Sequence, residues 1–142
     1  MVNLTVIVNL VLAFFLGGAI GWFREKEHKT AGMRTHILVA LGSALFMVIS
    51  KDMMTLTGIA DPGRIAAGVV TGIGFIGAGC IVQVGSGVRG ITTAASIFVT
   101  SAIGIAAGAG FYASSIVTTV LAVAALQLLR EFEKRVFKTK EE

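Results

Sequence analysis

Apolar positions in this chain come in long unbroken runs, without the alternation of a strand or the single stripe of a surface helix. Residues 2–23, 65–88 and 90–129 contain no Asp, Glu, Lys, Arg or His. About 20 apolar residues suffice to carry a helix across the hydrocarbon core, so the first two runs each predict one membrane span. The run 90–129 would make a helix of about 60 Å, roughly twice the core thickness, and must fold back on itself. Its stretch 108–115 supplies Gly108, Gly110, an interfacial Tyr112 and the hydroxyls of Ser114 and Ser115, which places the turn there. A further apolar run, 37–50, meets Lys51 and Asp52 before continuing over 53–60.

Charge decides whether that interrupted run is a span. With five spans, the four Lys/Arg residues of 24–34, Arg89 and the five of 130–142 make ten on one side, against Lys51 and Arg64 on the other. Without it the two sides balance, and basic residues normally concentrate on the cytoplasmic side. The expectation is an all-α bundle of five transmembrane helices over residues 1–129, N-terminus outside, followed by a short charged cytoplasmic tail over 130–142. The first run lacks the basic start and small-residue cleavage site of a secretory signal and should be retained.

Composition agrees. Only 14% of the 142 residues are charged and 55% are hydrophobic, against about 25% charged in soluble domains. The net charge of +4 sits in two clusters flanking spans, a placement that suits anionic lipid and not nucleic acid. The single cysteine, Cys80, can form no intrachain disulfide and reads as a buried thiol.

Helices in lipid associate by close packing of small residues and by interhelical hydrogen bonds, so the 18 glycines are candidate contacts. Gly17 and Gly21 form a GxxxG pair whose line continues to Glu25. In the third span Gly68, Gly72 and Gly79 share one face, with Gly74 and Gly77 opposite, which predicts a helix with neighbours on both sides at the bundle's centre. In the fourth, Gly104 and Gly108 extend a stripe from Gly90 through Ala94 and Ser101. Beside it Thr93, Ser96 and Thr100 form a hydroxyl ladder, bonded to helix carbonyls and neighbouring helices or else facing a narrow polar cavity.

Catalytic constellations are missing. Gly72-Ile73-Gly74-Phe75-Ile76-Gly77 matches a dinucleotide fingerprint by letter but lacks its strand and its acidic partner. His28 and His36 fall in a charged loop, where a solvated or interfacial role is expected, and no span carries an ionisable residue near its centre. An enzyme is therefore not expected, nor a cofactor or a resident metal. The polar candidates are an inner-side cluster of Glu25, Arg34, Arg89, Thr92 and Thr93, in which Glu25 is expected to pair with Arg34 or Arg89. On the outer side Asp61 and Arg64 stand out, with Asp61 also suited to cap the third helix.

The segments Gly21 with Arg24-Glu25, Ala31-Gly32-Met33-Arg34-Thr35-His36, Asp61-Pro62 with Arg64-Ile65-Ala66-Ala67, Gly72 to Gly79 and Val88-Arg89-Gly90-Ile91-Thr92-Thr93-Ala94-Ala95 resemble, in order and spacing, the MgtC/SapB family of bacterial inner-membrane proteins. The likeness covers about residues 10–125. It implies a multi-pass protein of the bacterial inner membrane. Through its virulence-factor members it also implies adaptation to low magnesium and restraint of the F-type ATP synthase. Phe23, Gly68 and Thr92 depart from common family residues, and the soluble C-terminal domain of that branch is expected to be absent. Two functions follow as expectations. One is a non-enzymatic regulator of another membrane protein or of adaptation to low magnesium. The other is a small cation channel or transporter built as a homo-oligomer.

Overall fold

The computed structural model describes residues 3–59 and 61–137, with side chains as far as residue 128. Five helices follow in order: α1 (Leu4–Lys26), α2 (Met33–Thr57), α3 (Pro62–Gly79), α4 (Ile91–Ala109) and α5 (Tyr112–Phe137). Of these, α1, α2 and α4 are long and apolar enough to cross a membrane, and α5 carries a shorter apolar stretch, Tyr112–Leu128. Both termini, Met1 and Glu142, whose sides of the membrane were expected from the sequence, lie outside the described residues. The first part of the charged tail continues α5 as far as Phe137.

Local chemistry sets the helix ends. Gly58 and Gly110 close α2 and α4 in the left-handed conformation, at φ 70° and 88°, which glycine adopts without a Cβ penalty. Asp61 caps α3 through a 2.8 Å bond from Gly63 N–H to its Oδ1, with Pro62 in the first turn. Lys51 and Asp52 do not interrupt α2. Lys51 lies along the bundle and donates from Nζ to the Ala109 carbonyl at 2.7 Å, placing a cation at the negative end of α4.

One element departs from the all-α expectation. Between α3 and α4 the chain forms a two-stranded antiparallel hairpin, β1 (Val82–Val84) and β2 (Gly87–Arg89). Gly85 turns it at φ 61°, the place of a glycine at the first central position of a two-residue turn. The hairpin brings the Cys80 carbonyl so close to Gly90, itself at φ 94°, that a Cβ there would overlap it. Cys80 itself is half-buried at the end of α3, its thiol donating to the Ile76 carbonyl; it is not deep in a core.

The helices alternate in direction. At one end Asn9, Lys51 and Tyr112 meet the last carbonyls of α4 or one another; at the other, Arg24 of α1 and His36 of α2 meet the first turns of α4. α4 touches all four other helices, whereas α3 touches α2 and α4. A Cβ on Gly17 would stand 2.7 Å from the His36 carbonyl oxygen and 2.8 Å from Ala40 Cβ, and one on Gly21 would stand 2.5 Å from Met33 Cα. Gly104 and Gly108 press in the same way on the backbone of Ala40 and Ala44. Bulkier residues there would force the backbones apart.

The central position expected for α3 belongs to α4. Gly77 alone of the α3 glycines named above faces a neighbour, Ala94 at 3.6 Å, while Gly68, Gly72, Gly74 and Gly79 have nothing within 4 Å. Apart from Gly77, these α3 glycines are open, and the tight small-residue contacts lie among α1, α2 and α4. Gly104→Leu should therefore lower stability by about 3 kcal/mol or prevent folding, whereas Gly72→Leu should shift it by less than about 0.5 kcal/mol. Melting of both variants in one detergent checks the contrast.

Candidate functional site

At the end where α1 and α2 are joined, three helices bring polar groups into the interior. Arg24 is 3% exposed and His36 fully buried. A buried guanidinium is costly unless its N–H groups are bonded. Arg24 Nη2 donates to Thr93 Oγ1 at 2.6 Å. His36 Nδ1 lies 2.8 Å from the Gly32 carbonyl and Nε2 lies 3.1 Å from Ser96 Oγ. A carbonyl only accepts, so Nδ1 carries a hydrogen and donates to Gly32. Ser96 Oγ also lies 2.8 Å from the Thr93 carbonyl, and with His36 protonated on Nδ1 its single hydrogen serves either that carbonyl or His36 Nε2. The result is one connected clasp from α1 through α4 to α2.

Farther along, the ladder is satisfied inside the bundle. Thr100 donates to the Ser96 carbonyl, and the Ser43 and Ser101 hydroxyls share a 2.8 Å bond between α2 and α4. The hydroxyls therefore bond to helix carbonyls and across helices. At the opposite end Asn9 Nδ2 donates to the Gly108 carbonyl at 3.0 Å, and the Tyr112 hydroxyl donates to Asn9 Oδ1 at 2.7 Å. A polar hollow of about 410 Å³ opens beside them, lined in part by Asn3, Thr5, Lys51, Asp52 and Thr55.

The residues proposed from the sequence divide between interior and surface. Thr93 is buried in the clasp, whereas Glu25, Arg34, Arg89 and Thr92 are exposed. Glu25 accepts from the Met33 backbone N–H at 2.8 Å, so it caps α2; among the described residues no ion pair joins it to Arg34 or Arg89. Asp61 caps α3 and Arg64 is exposed. His36 belongs to the helical interior and not to a solvated loop. Among the described residues no group of three or more His, Cys, Asp or Glu could hold a metal ion.

Arg24 and Asn9 were not among the candidate site residues read from the sequence, and His36 was read there as a solvated or interfacial residue. The signal for Arg24 was there. The buried line of α1 runs Asn9, Ala13, Gly17, Ile20 and Gly21, Arg24. Steps of four drift by about 40° each at 3.6 residues per turn, so extending Gly17 and Gly21 to Glu25 leaves the face that a step of seven, to Arg24, keeps.

Arg24, His36 and Thr93 come from three separated segments of the sequence resemblance and converge in this clasp. The sequence model of the MgtC family matches residues 10–135. The chain belongs to the MgtC family. The Escherichia coli K12 protein named "Putative magnesium transporter YhiD" is 46% identical over 134 residues, 91% of this chain and 62% of that protein. Protein MgtC of Brucella abortus is 46% identical over 118 residues, 83% of this chain and 48% of its own. Protein MgtC of Salmonella typhimurium is 42% identical over 130 residues, 92% and 54% respectively. The chain thus spans about half to three fifths of the length of these relatives. No solved structure matches it. With its apolar helices, this MgtC family member is a membrane protein.

The clasp predicts a ranking of side chains. Thr93→Val removes one acceptor of a buried guanidinium and should cost about 2 kcal/mol, while Arg34→Ala and Arg89→Ala, at exposed positions, should each cost less than about 0.5 kcal/mol. Denaturation of the three variants side by side tests it.

Proposed function

We propose that this chain is a five-span protein of the bacterial inner membrane, its N-terminus outside and C-terminus cytoplasmic, that regulates another membrane protein during adaptation to low magnesium. The alternating direction of the five helices and the gathering of Arg24, Lys26, Lys29, Arg34 and Arg89 at one end support that topology. The observation that carries the regulatory reading is the closed centre. α1, α2 and α4 meet through glycine and alanine, and the hydroxyls of Ser43, Ser96, Thr100 and Ser101 bond to carbonyls and to one another. A single copy then offers its partners an outer surface in place of a polar path. The F-type ATP synthase, drawn from the family resemblance, is the partner to test first.

A second reading, a cation transporter assembled from several copies, is favoured by the name of the Escherichia coli relative, "Putative magnesium transporter YhiD". Liposomes containing the purified chain and a magnesium-sensitive dye separate the two. The regulatory reading expects magnesium entry no faster than in empty liposomes. Saturable entry above that level would replace it with the transporter.

A further inference from the structure

The outward side of α2 and α3 encloses an apolar groove of about 710 Å³, with Leu38, Gly42 and Phe46 on one wall and Gly68, Gly72 and Ile76 on the other. These are consecutive steps of four on each helix, and each line begins one turn earlier with an exposed arginine: Arg34 before Leu38, Arg64 before Gly68. Because α2 and α3 run in opposite directions, the two arginines lie one turn beyond opposite ends of the groove. The glycines leave the trough empty, since a Cβ on Gly42, Gly68 or Gly72 would meet nothing within 4 Å. From Ile65 to Ile76 the wall is about 16 Å long at 1.5 Å per residue, close to half of a hydrocarbon core of about 30 Å.

We infer that this groove binds one acyl chain of an anionic phospholipid whose phosphate is held at the Arg34 mouth. This rests on the membrane placement proposed above, and not on whether the protein regulates or transports. Charge selects the lipid and the mouth. Among the described side chains at the Arg34 end, the exposed bases Lys26, Lys29, Arg34 and Arg89 outnumber the acids Glu25 and Glu27, which accept from Met33 N–H and from Gln127 Nε2. At the Arg64 end Lys51 and Arg64 are balanced by Asp52 and Asp61, and Asp61 occupies the N-terminus of α3. Basic rims between membrane helices attract anionic headgroups. A second copy is the poorer occupant: a two-fold axis along the membrane normal would set Arg34 against Arg34 and Arg64 against Arg64, a like-charge juxtaposition that opposes association.

Native mass spectrometry of the full chain in detergent, titrated with phosphatidylglycerol or with phosphatidylcholine of the same acyl chains, tests the site. The wild type should retain one phosphatidylglycerol in preference to phosphatidylcholine. Gly72→Leu and, from the other wall, Gly42→Leu should lose the bound lipid while melting as the wild type does. Arg34→Ala should lower the preference about five-fold, the equivalent of roughly 1 kcal/mol for one basic side chain near an anionic surface, and Arg64→Ala should leave it unchanged. Equal retention of both lipids, or undiminished retention by both leucine variants, overturns the proposal. So does loss of the preference in Arg64→Ala instead of Arg34→Ala. A wild-type dimer that either leucine variant dissolves would give the groove to a second copy.

Discussion

Backbones can approach as closely as those of α2 and α4 only where side chains are absent, and that constraint organises the molecule. Lipid tails are as apolar as leucine, so burying apolar side chains gives little reason for membrane helices to associate. Close van der Waals contact and interhelical hydrogen bonds must do so. Gly104 and Gly108 lie against the backbone of Ala40 and Ala44, and Gly17 and Gly21 against His36 and Met33. α2 is therefore held from two sides, by α1 and by α4. The fully buried Ala13, Ala40, Ala44 and Ala107 complete that layer.

Close approach also determines where polar groups can go. With the backbones in contact, a buried donor gains most by finding a partner inside the bundle. Arg24 bonds Thr93, His36 spans Gly32 and Ser96, and Asn9 bridges Gly108 and Tyr112. These bonds fasten both ends of the same three-helix layer, with α5 joined at one of them through Tyr112. α3 shares less of this arrangement, reaching α4 through Gly77 and Ala94 and touching α2 beneath the groove, where Val39 packs against the cluster that holds Ile73. Its position is what leaves one face of α2 open to the bilayer.

Much of this was legible in the sequence, and the rest was not for physical reasons. Unbroken apolar runs disclose helices, and the chemistry of Asp61-Pro62 and Gly110 discloses where they start and stop, because those signals are local. Which glycine face is covered is not local: Gly72 and Gly104 look alike in sequence, yet one meets open space and the other a backbone. His36 followed a basic loop and read as solvated, although it belongs to the first turn of α2 and is buried by Ser96 from 60 residues away. The hairpin was hidden because strands of three residues are too short to show an alternation against apolar flanks.

The claim that α4, and not α3, is the inner neighbour of α2 is open to direct measurement. Ser43 and Ser101 hydroxyls lie 2.8 Å apart, close enough for paired cysteines to oxidise, while Phe75 points outward from α3 at 84% exposure. In a Cys80→Ser background in native membranes, Ser43→Cys with Ser101→Cys should form an intrachain disulfide under mild oxidation, and Ser43→Cys with Phe75→Cys should remain reduced. A bridge from position 43 to 75, with 101 still open to alkylation, would contradict the arrangement.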